Sequence, residues 1–374
     1  MKKVSVIVPM YKAKPYVKPC VDALLRQGVE EDELEILLID DRSPDDTFAY
    51  AKDLFGNCPA VRVIEQEQNG GPGKARNRGL QEAAGKYICF ADVDDLYIDN
   101  AISGMIATAE AEHADVVHTN GVYFTIVKPL PDDLSVLGEQ DLLSIVFSRS
   151  NRDAADLSTW QIGEMEERLR AWYHHDIHWN VWGKLYKKDF LDRNGIRFLD
   201  MKIGEDCLFV MKCMLTAEKY VQNNTFTYIY RIGESQSVSR GSKNPKVFIN
   251  AQMSLFEIEQ HFEEELGGIP YLKEHPQELQ KLKEMEISNI RGPYAIAKYA
   301  EIGRSTLSED PGVKALFETY FGADGERRMN ALFDEYDQCK VDRSAEVFSS
   351  YEFWKSIRDR FGSRVFSLND LSKK

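Results

Sequence analysis

The first hundred residues alternate short apolar segments with amphipathic ones, and this alternation constrains the fold more than any other feature of the chain. Four largely apolar segments have the length of strands: 4–9, 35–41, 61–64 and 87–91. Between the first two, apolar residues recur at the i, i+3, i+4 spacing of a helix over 15–28. Apolar strands that alternate with helices are typical of a parallel sheet covered on both faces. The pattern therefore predicts an α/β fold.

Charged and glycine-rich segments lie at the ends of these predicted strands. Two aspartates close the second strand at 40–41, and the sequence DVDD follows the fourth strand at 92–95. A glycine-rich segment at 69–79 leads into a basic helix start. Because ligands of open α/β sheets bind at the carboxyl ends of the strands, these segments are the candidate site.

The length, net charge and cysteine content of the chain exclude several classes of protein. The chain of 374 residues is long enough for at least two structural units, and it carries a net charge of −14. Such a chain lacks the attraction that duplex nucleic-acid binders use, so no nucleic-acid partner is expected. No segment approaches the ~18 consecutive apolar residues of a membrane-spanning helix. The six cysteines show no CxxC spacing, which suits thiols in a reducing compartment, and the expected location is the cytoplasm.

Two groups of carboxylates are candidates for chemistry. The three in 92–95 suit a site for Mg²⁺ or Mn²⁺, which in proteins also holds substrate phosphates. Acids favoured by a helix N-terminus are an equally weighted alternative. Glu205 and Asp206 lie at a predicted helix start, where capping is the simpler interpretation and general-base chemistry the other. Adjacent helical residues point in different directions, so at most one of this pair is expected to face a shared site.

The glycine-rich segment 69–79 is neither a P-loop nor a GxGxxG fingerprint, although its Lys74 and Arg76 can meet a diphosphate or stack on a base. His174 and His178 have the i, i+4 spacing of a zinc pair. The HExxH motif and a regularly spaced further ligand are missing, so a packed amphipathic segment is favoured over zinc.

Further signals concern secondary structure. The sequence SPDD at 43–46 predicts a helix start with Ser43 as N-cap. The segment 226–231 is rich in β-formers. The predicted helices beyond residue 245 are 247–266, 276–303, 312–321 and 345–361. For the tail at 353–361, packing in a helical unit is favoured over docking on a membrane surface.

Taken in order, these features resemble family 2 glycosyltransferases, inverting enzymes of GT-A fold that use nucleotide-sugars. The matching segments are PxY at 9–11, LIDDxSxD at 38–45, NxGxGxxRNxG at 69–79, AGKYIxFxDxDD at 84–95, WxKLY at 182–186, GEDxxF at 204–209 and YRxxxSxS at 230–237. The resemblance implies a GT-A domain over 1–240, with a nucleotide-binding half at 1–105 and an acceptor half at 106–240. A helical C-terminal region at 241–374 would follow.

The resemblance also implies which residues bind the donor. Pro9, Tyr11 and Asp41 would line the uracil pocket, with Asp41 accepting a hydrogen bond from the base. Arg76 would close this pocket from the glycine-rich loop with help from Asn69.

Matching positions further imply the metal and catalytic residues. Asp92 and Asp94 would form the DxD motif, with Asp94 as the main ligand of Mn²⁺ or Mg²⁺. Asp92 would also face the ribose or the donor sugar. Asp206 would be the catalytic base, and Glu205 would lie beside it near the acceptor.

The implied reaction is metal-dependent transfer of a sugar from a UDP-sugar to a hydroxyl of a saccharide, lipid-linked or polyol-phosphate acceptor. The implied setting is bacterial cell-surface polysaccharide assembly, with peripheral contact at the inner membrane face if the acceptor is lipid-linked. The C-terminal helices are expected to support a homo-oligomer or acceptor docking. Two alternatives remain from the residues alone: a nucleotidyltransferase, and a binding module that holds a nucleotide or glycan without turnover.

Overall fold

A computed structural model describes residues 2–125, 142–146, 156–201, 203–231, 244–287, 291–338 and 365–366. The chain divides into two compact units. The first unit comprises Met1–Asp200, Glu205–Ile232 and Glu352–Lys374, and the second comprises Met201–Gly204 and Gly233–Tyr351. Within the described residues, no helix is long and apolar enough to cross a bilayer.

The first unit contains a mixed sheet flanked by helices. Its strands in chain order, β1 to β11, are Val4–Met10, Leu34–Asp40, Val61–Glu65, Tyr87–Phe90, Leu96–Tyr97, Val116–Thr125, Leu142–Val146, Trp160–Gln161, Lys184–Lys187, Tyr220–Arg231 and Val365–Phe366. Its helices, α1 to α7, are Lys14–Leu25, Thr47–Phe55, Pro72–Glu82, Ala101–Glu112, Met165–Tyr173, Lys188–Arg193 and Glu205–Thr216.

The predicted parallel sheet is confirmed for the first four strands. They lie in the order β3-β2-β1-β4, and every neighbouring pair is parallel. Beyond β4 the sheet becomes mixed, because β9 pairs antiparallel with both β4 and β6. The long strand β10 runs parallel to β6 and antiparallel to β5 and β8. Strand β9 pairs with β4, and β10 pairs with β5, which follows β4 in the chain. These pairings bring strands from the second half of the chain next to β4 and the segment that follows it.

Helix α3 packs unusually close to the central strand β1. A Cβ atom placed on Gly79 would lie 2.3 Å from Cγ2 of Ile7, a distance that real Cβ atoms do not show. Glycine at this position lets the helix backbone rest on the strand. The helix that follows the glycine-rich loop is therefore held firmly against the sheet.

The predicted helix start at Ser43 is wrong, because α2 begins at Thr47 after Asp46. The Ser43 hydroxyl instead donates to Oδ1 of Asp40 at 2.6 Å and accepts from the backbone N–H of Lys12 at 3.1 Å. A hydroxyl engaged by a buried carboxylate at the strand end is not available as a helix cap. These bonds tie the loop after β1 to the loop after β2.

The second unit is helical in its described part. Its helices, α8 to α15, are Pro245–Phe256, Ile258–Leu266, Pro270–Glu274, Pro276–Glu286, Gly292–Ile302, Arg304–Glu309, Pro311–Phe321 and Gly325–Gln338. The predicted helix 247–266 is two helices that meet at Glu257. A core of buried aromatic and aliphatic side chains, including Phe248, Phe317 and Phe333, holds the unit together. The predicted helix 345–361 and the tail segment 353–361 lie outside the described residues.

Candidate active site

The residues predicted to bind the donor lie where β1, β2 and β4 end. The parallel register places Met10 beside Asp40 and Ile7 beside Phe90, so the loops that follow these strands share one edge of the sheet. The backbone N–H of Asp41 donates to the carbonyl of Met10 at 2.8 Å and joins the first two loops.

Asp41 organises the glycine-rich loop. Its Oδ1 accepts from the backbone N–H of Gly70 at 2.8 Å and from Nε2 of Gln66 at 2.7 Å, and its Oδ2 accepts from the N–H of Gly71 at 2.7 Å. Asn69 donates to the Asp41 carbonyl at 2.9 Å. Gly71 has φ +86°, which disfavours any residue with a Cβ. Asp41 and Asn69, both expected in the base pocket, are therefore joined directly.

Tyr11 supplies an exposed aromatic surface at this edge. It follows β1 directly and is 47% exposed, which is unusual for a tyrosine in an otherwise buried strand-end region. Pro9 is half-buried within β1. An exposed flat ring beside polar loop atoms can stack on a nucleobase.

Arg76 joins the two halves of the first unit. Its Nη1 donates to Oε1 of Glu205 at 3.0 Å, and its Nη2 donates to Oδ1 of Asp92 at 2.9 Å. The guanidinium also lies over the ring of Phe198 at 5.4 Å. The side chain is only 6% exposed, and its Nε has no hydrogen-bond partner in the described part of the chain. Arg76 thus bridges two carboxylates, that of Asp92 after β4 and that of Glu205 on α7.

The electrostatics of this network follow from burial and charge. Burial disfavours the charged form of Arg76, but the carboxylates of Asp92 and Glu205 more than offset this and raise its pKa. Burial raises the pKa of Glu205 to about 7, helped by the negative charge of Asp206 and opposed by Arg76. Glu205 is therefore a carboxylate that titrates near neutral pH.

The acidic pair at the start of α7 has two different surroundings. Glu205 is buried and points to Arg76, whereas Asp206 is half-buried, with Oδ1 accepting from the backbone N–H of Cys207 at 2.9 Å. Gly73 makes room for this arrangement, since a Cβ there would lie 3.1 Å from Cγ of Glu205. The two carboxylates therefore bind different partners, as helical geometry predicts for adjacent residues.

The DVDD segment is supported by β10, a contribution that sequence reasoning missed. The backbone N–H of Asp92 donates to the Tyr228 hydroxyl at 3.0 Å. The N–H of Arg231 donates to Oδ1 of Asp95 at 2.8 Å, and its Nε donates to the carbonyl of Asp94. The β-rich character of 226–231 and the YR motif were the only signals in the sequence that pointed to this strand.

The carboxylates suit a divalent cation that is shared with a substrate. No group of three or more His, Cys, Asp or Glu side chains that could hold a metal occurs among the described residues. Oδ1 of Asp92 is taken by Arg76, and Oδ2 has no partner within the described ranges. Mg²⁺ and similar ions typically use one or two carboxylates and complete their coordination with phosphates and water. Asp92 and Asp94, both half-buried after β4, provide the one or two carboxylates that such a site requires.

The histidines lie elsewhere, in a buried polar cluster beside β9. Lys184 Nζ lies 2.9 Å from Nδ1 of His178 and donates to the carbonyl of Asn180 at 2.5 Å. Nε2 of His178 lies 3.3 Å from the carbonyl of Thr119. Both ring nitrogens of His178 are thus engaged within the protein, which agrees with packing rather than zinc binding. Burial of Lys184 could not be read from its sequence position.

Comparisons with known proteins agree with this geometry. The profile of the family described as "Glycosyl transferase family 2" matches residues 5–193. The uncharacterized glycosyltransferase EpsJ of Bacillus subtilis is 31% identical over 229 residues, which is 61% of this chain and 60% of EpsJ. The poly(ribitol-phosphate) beta-N-acetylglucosaminyltransferase TarS of Staphylococcus aureus is 26% identical over 269 residues, 69% of this chain but 40% of TarS. The chain thus matches only part of the length of these relatives.

Solved structures show the same fold. TarS 1–349 of S. aureus, solved with UDP-GlcNAc, superposes with a TM-score of 0.56 and 22% identity, covering 91% of this chain and 95% of that one. The mannosyltransferase PcManGT of Pyrobaculum calidifontis, solved with GDP-Man and Mn²⁺, has a TM-score of 0.50 and 16% identity, covering 96% of this chain and 86% of that one. The expected GT-A-like α/β fold is confirmed.

Proposed function

Because the chain belongs to glycosyl transferase family 2, we propose that it transfers a sugar from a UDP-sugar to a hydroxyl group of a cell-surface glycan precursor. The acceptor is a saccharide, a lipid-linked glycan or a polyol phosphate, and the transfer inverts the anomeric centre with help from a divalent cation. The name and the bound ligand of TarS support UDP as the donor nucleotide and a polyol-phosphate acceptor. Family membership favours this transferase over the nucleotidyltransferase and the binding module.

The nucleotide end of the donor is assigned to the loops after β1 and β2. The exposed ring of Tyr11 stacks on the uracil, beside Pro9. Asp41 and Asn69 border the same pocket and hold the glycine-rich loop in shape through the bonds described above. A loop that is already hydrogen-bonded before the nucleotide binds pays less ordering entropy on binding.

The diphosphate lies at the DVDD segment in this proposal. Asp94 and Asp92 would hold Mn²⁺ or Mg²⁺, which would supply Lewis-acid stabilisation of the departing diphosphate. Arg76 binds one oxygen of Asp92, so the second oxygen is the one assigned to the cation in this proposal. The Mn²⁺ of the mannosyltransferase PcManGT supports a metal in this fold.

Asp206 is the proposed base. It accepts the proton of the acceptor hydroxyl as the acceptor oxygen bonds to the anomeric carbon, and UDP leaves with the electron pair of the broken C–O bond. A carboxylate base on the face opposite the leaving group accounts for inversion, as in glycoside chemistry. The observation on which the proposal depends most is the Arg76 bridge, which ties Asp92 on the donor side to the acidic pair on α7.

The test is UDP release from purified protein without acceptor. UDP-glucose, UDP-N-acetylglucosamine and GDP-mannose are each incubated with Mn²⁺ or with EDTA. Release of UDP from one UDP-sugar, with Mn²⁺ only, is the expected result. Release only of GDP would overturn the donor assignment. Tight binding of UDP in calorimetry without turnover on any donor or added acceptor would favour the binding module.

Location, assembly and domain limits are also proposals. We place the protein in the cytoplasm, at the inner face of the membrane if its acceptor is lipid-linked. We assign the domain boundary to residue 240 and give the C-terminal helices a role in acceptor binding or in a homo-oligomer. Light scattering of the full chain tests the last point, and a monomer at all concentrations would contradict an oligomer.

A further inference from the structure

We propose that Lys184 is a positioning residue for the transfer reaction, because its buried ammonium group provides the positive charge that keeps Asp206 in the ionised form of a base. This inference rests on the proposed function, in which Asp206 accepts the acceptor proton. In this role, the charge of the completely buried Lys184 side chain acts on the catalytic base.

The burial of Lys184 calls for an explanation. The residue is 0% exposed, and its ammonium group hydrogen-bonds to uncharged partners, the Asn180 carbonyl and the His178 ring. A buried cation without an ion pair costs free energy that an apolar residue of similar size would not. Neither of these two partners carries the negative charge that would form an ion pair with the ammonium group. Stability alone therefore does not account for a lysine here.

The fold places Lys184 under the helix that carries Asp206. Side chains of a strand alternate, so Lys184 and Tyr186 of β9 point to the same face of the sheet. The Tyr186 ring packs against the ring of Phe209 on α7, with centroids 5.5 Å apart. Asp206 and Cys213 lie three residues before and four residues after Phe209, on the same stripe of α7. The stripe that faces β9 therefore begins at Asp206.

The charges follow this geometry. Burial lowers the pKa of Lys184 well below its ordinary value, and the negative charge of Asp206 opposes the shift. The neighbouring Cys213 is a neutral thiol, because burial raises its own pKa well above its ordinary value. On the other side lies His178, whose pKa burial also lowers well below its ordinary value. With its Nε2 directed to the Thr119 carbonyl, neutral His178 offers Nδ1 as an acceptor for Lys184.

Other titratable groups complete the surroundings. The His118 ring packs edge-on against His178 at 4.2 Å, and burial keeps its pKa well below its ordinary value. Asp206 follows Glu205 directly in the sequence and interacts electrostatically with both Glu205 and Arg76. Glu205 disfavours a second negative charge beside it, so Asp206 needs nearby cations to stay ionised. Within the described part of the sheet, Lys184 is a cation that interacts electrostatically with Asp206.

The first experiment measures UDP release from the productive UDP-sugar against pH, with Mn²⁺, for the full chain and for Lys184→Met. Loss of the nearby cation raises the pKa of a carboxylate base. The acid limb of the profile is therefore expected to move up by about one pH unit. At low pH the variant should be about tenfold slower than the parent, and it should recover at higher pH.

Two controls separate this effect from simple loss of structure. Lys184→Arg keeps the charge and should restore the acid limb to that of the parent. Tyr186→Phe removes a buried hydrogen bond to the Val181 carbonyl from the same face of β9 without removing a charge, and its acid limb should not move. A Lys184→Met profile that is lowered equally at every pH would overturn the proposal.

A second measurement needs no turnover and no change at Lys184. The ¹⁵Nζ signal of Lys184 is titrated by NMR in the parent and in Asp206→Asn, which keeps the volume of the side chain. The Lys184 midpoint should fall by about one pH unit when the Asp206 charge is removed. An unchanged midpoint would overturn the proposal. A shifted midpoint in a protein that releases no UDP from any donor would instead overturn the proposed function.

Discussion

Arg76 and Glu205, 129 positions apart in the sequence, form a buried ion pair with 3.0 Å between Nη1 and Oε1. The same guanidinium holds Asp92 at 2.9 Å. A residue of the glycine-rich loop region thus connects the carboxylates after β4 with the acidic pair that opens α7. The proposed donor and acceptor sides share this one side chain.

Replacing Arg76 with lysine should disable the site, because one ammonium group cannot reproduce a planar guanidinium that bridges two carboxylates. UDP release should fall at least about a hundredfold, and unfolding free energy should drop by about 3 kcal/mol as a buried carboxylate loses its partner. Enzyme assay and denaturant titration measure both. Arg78→Lys, on the exposed side of the same helix, should change neither property. Parent-like turnover in Arg76→Lys would contradict the bridging role.

Asp206→Asn should separate binding from chemistry. The amide cannot accept the acceptor proton, so transfer should be lost, by about 10²-fold or more. UDP affinity in calorimetry should stay within a few-fold of the parent, because Asp206 lies on α7 and not in the loops after β1 and β2 that are assigned to the nucleotide. Equal loss of affinity and turnover would remove Asp206 from the role of base.

Asp94→Ala should abolish the dependence of UDP binding on Mn²⁺, since the cation loses its main carboxylate ligand. Calorimetric titration of UDP with Mn²⁺ and with EDTA should then give the same weak affinity. Asp53→Ala, on the exposed side of α2, is the control and should retain the difference. Metal dependence that survives in Asp94→Ala would contradict the assignment.

Glu205 should make stability depend on pH near neutrality. Its pKa of about 7 lies above the unfolded value of about 4.5, so the folded state binds more protons between these values. Its contribution to stability is therefore lost as pH rises through 7. The unfolding free energy of Glu205→Gln relative to the parent should increase by about 3 kcal/mol from pH 4.5 to pH 8. Glu67→Gln, at an exposed position, should show no such trend.

Gly73→Ala should disturb the site through sterics alone. The new Cβ would lie 3.1 Å from both Cγ of Glu205 and the carbonyl of Leu199, so these neighbours must move by a few tenths of an ångström. UDP release should fall by about tenfold, by analogy with small misplacements of catalytic groups. Gly104→Ala, which meets nothing within 4 Å in helix α4, should instead raise stability by about 0.5–1 kcal/mol.

Much of the first half of the fold could be predicted because its signals are local. Strand lengths and apolar content in the first ninety residues predicted the parallel strands that the structure contains. The helix start at Ser43 was mispredicted for a non-local reason, since its hydroxyl is used by Asp40 and by the loop after β1. The antiparallel strand β9 and the role of β10 beneath Asp92 depend on pairings between distant segments.

The sequence by itself determined the family, the α/β architecture and the set of acidic and glycine-rich segments at the strand ends. These properties follow from short-range periodicity and from motifs whose spacing is visible along the chain. Only the tertiary structure decided that Arg76 joins Asp92 to Glu205, that Asp41 accepts hydrogen bonds from the glycine-rich loop, and that Lys184 is fully buried. The physical reason is that burial, and the pairing of charges it demands, depend on neighbours that are distant in the chain and meet only when the sheet and its helices pack.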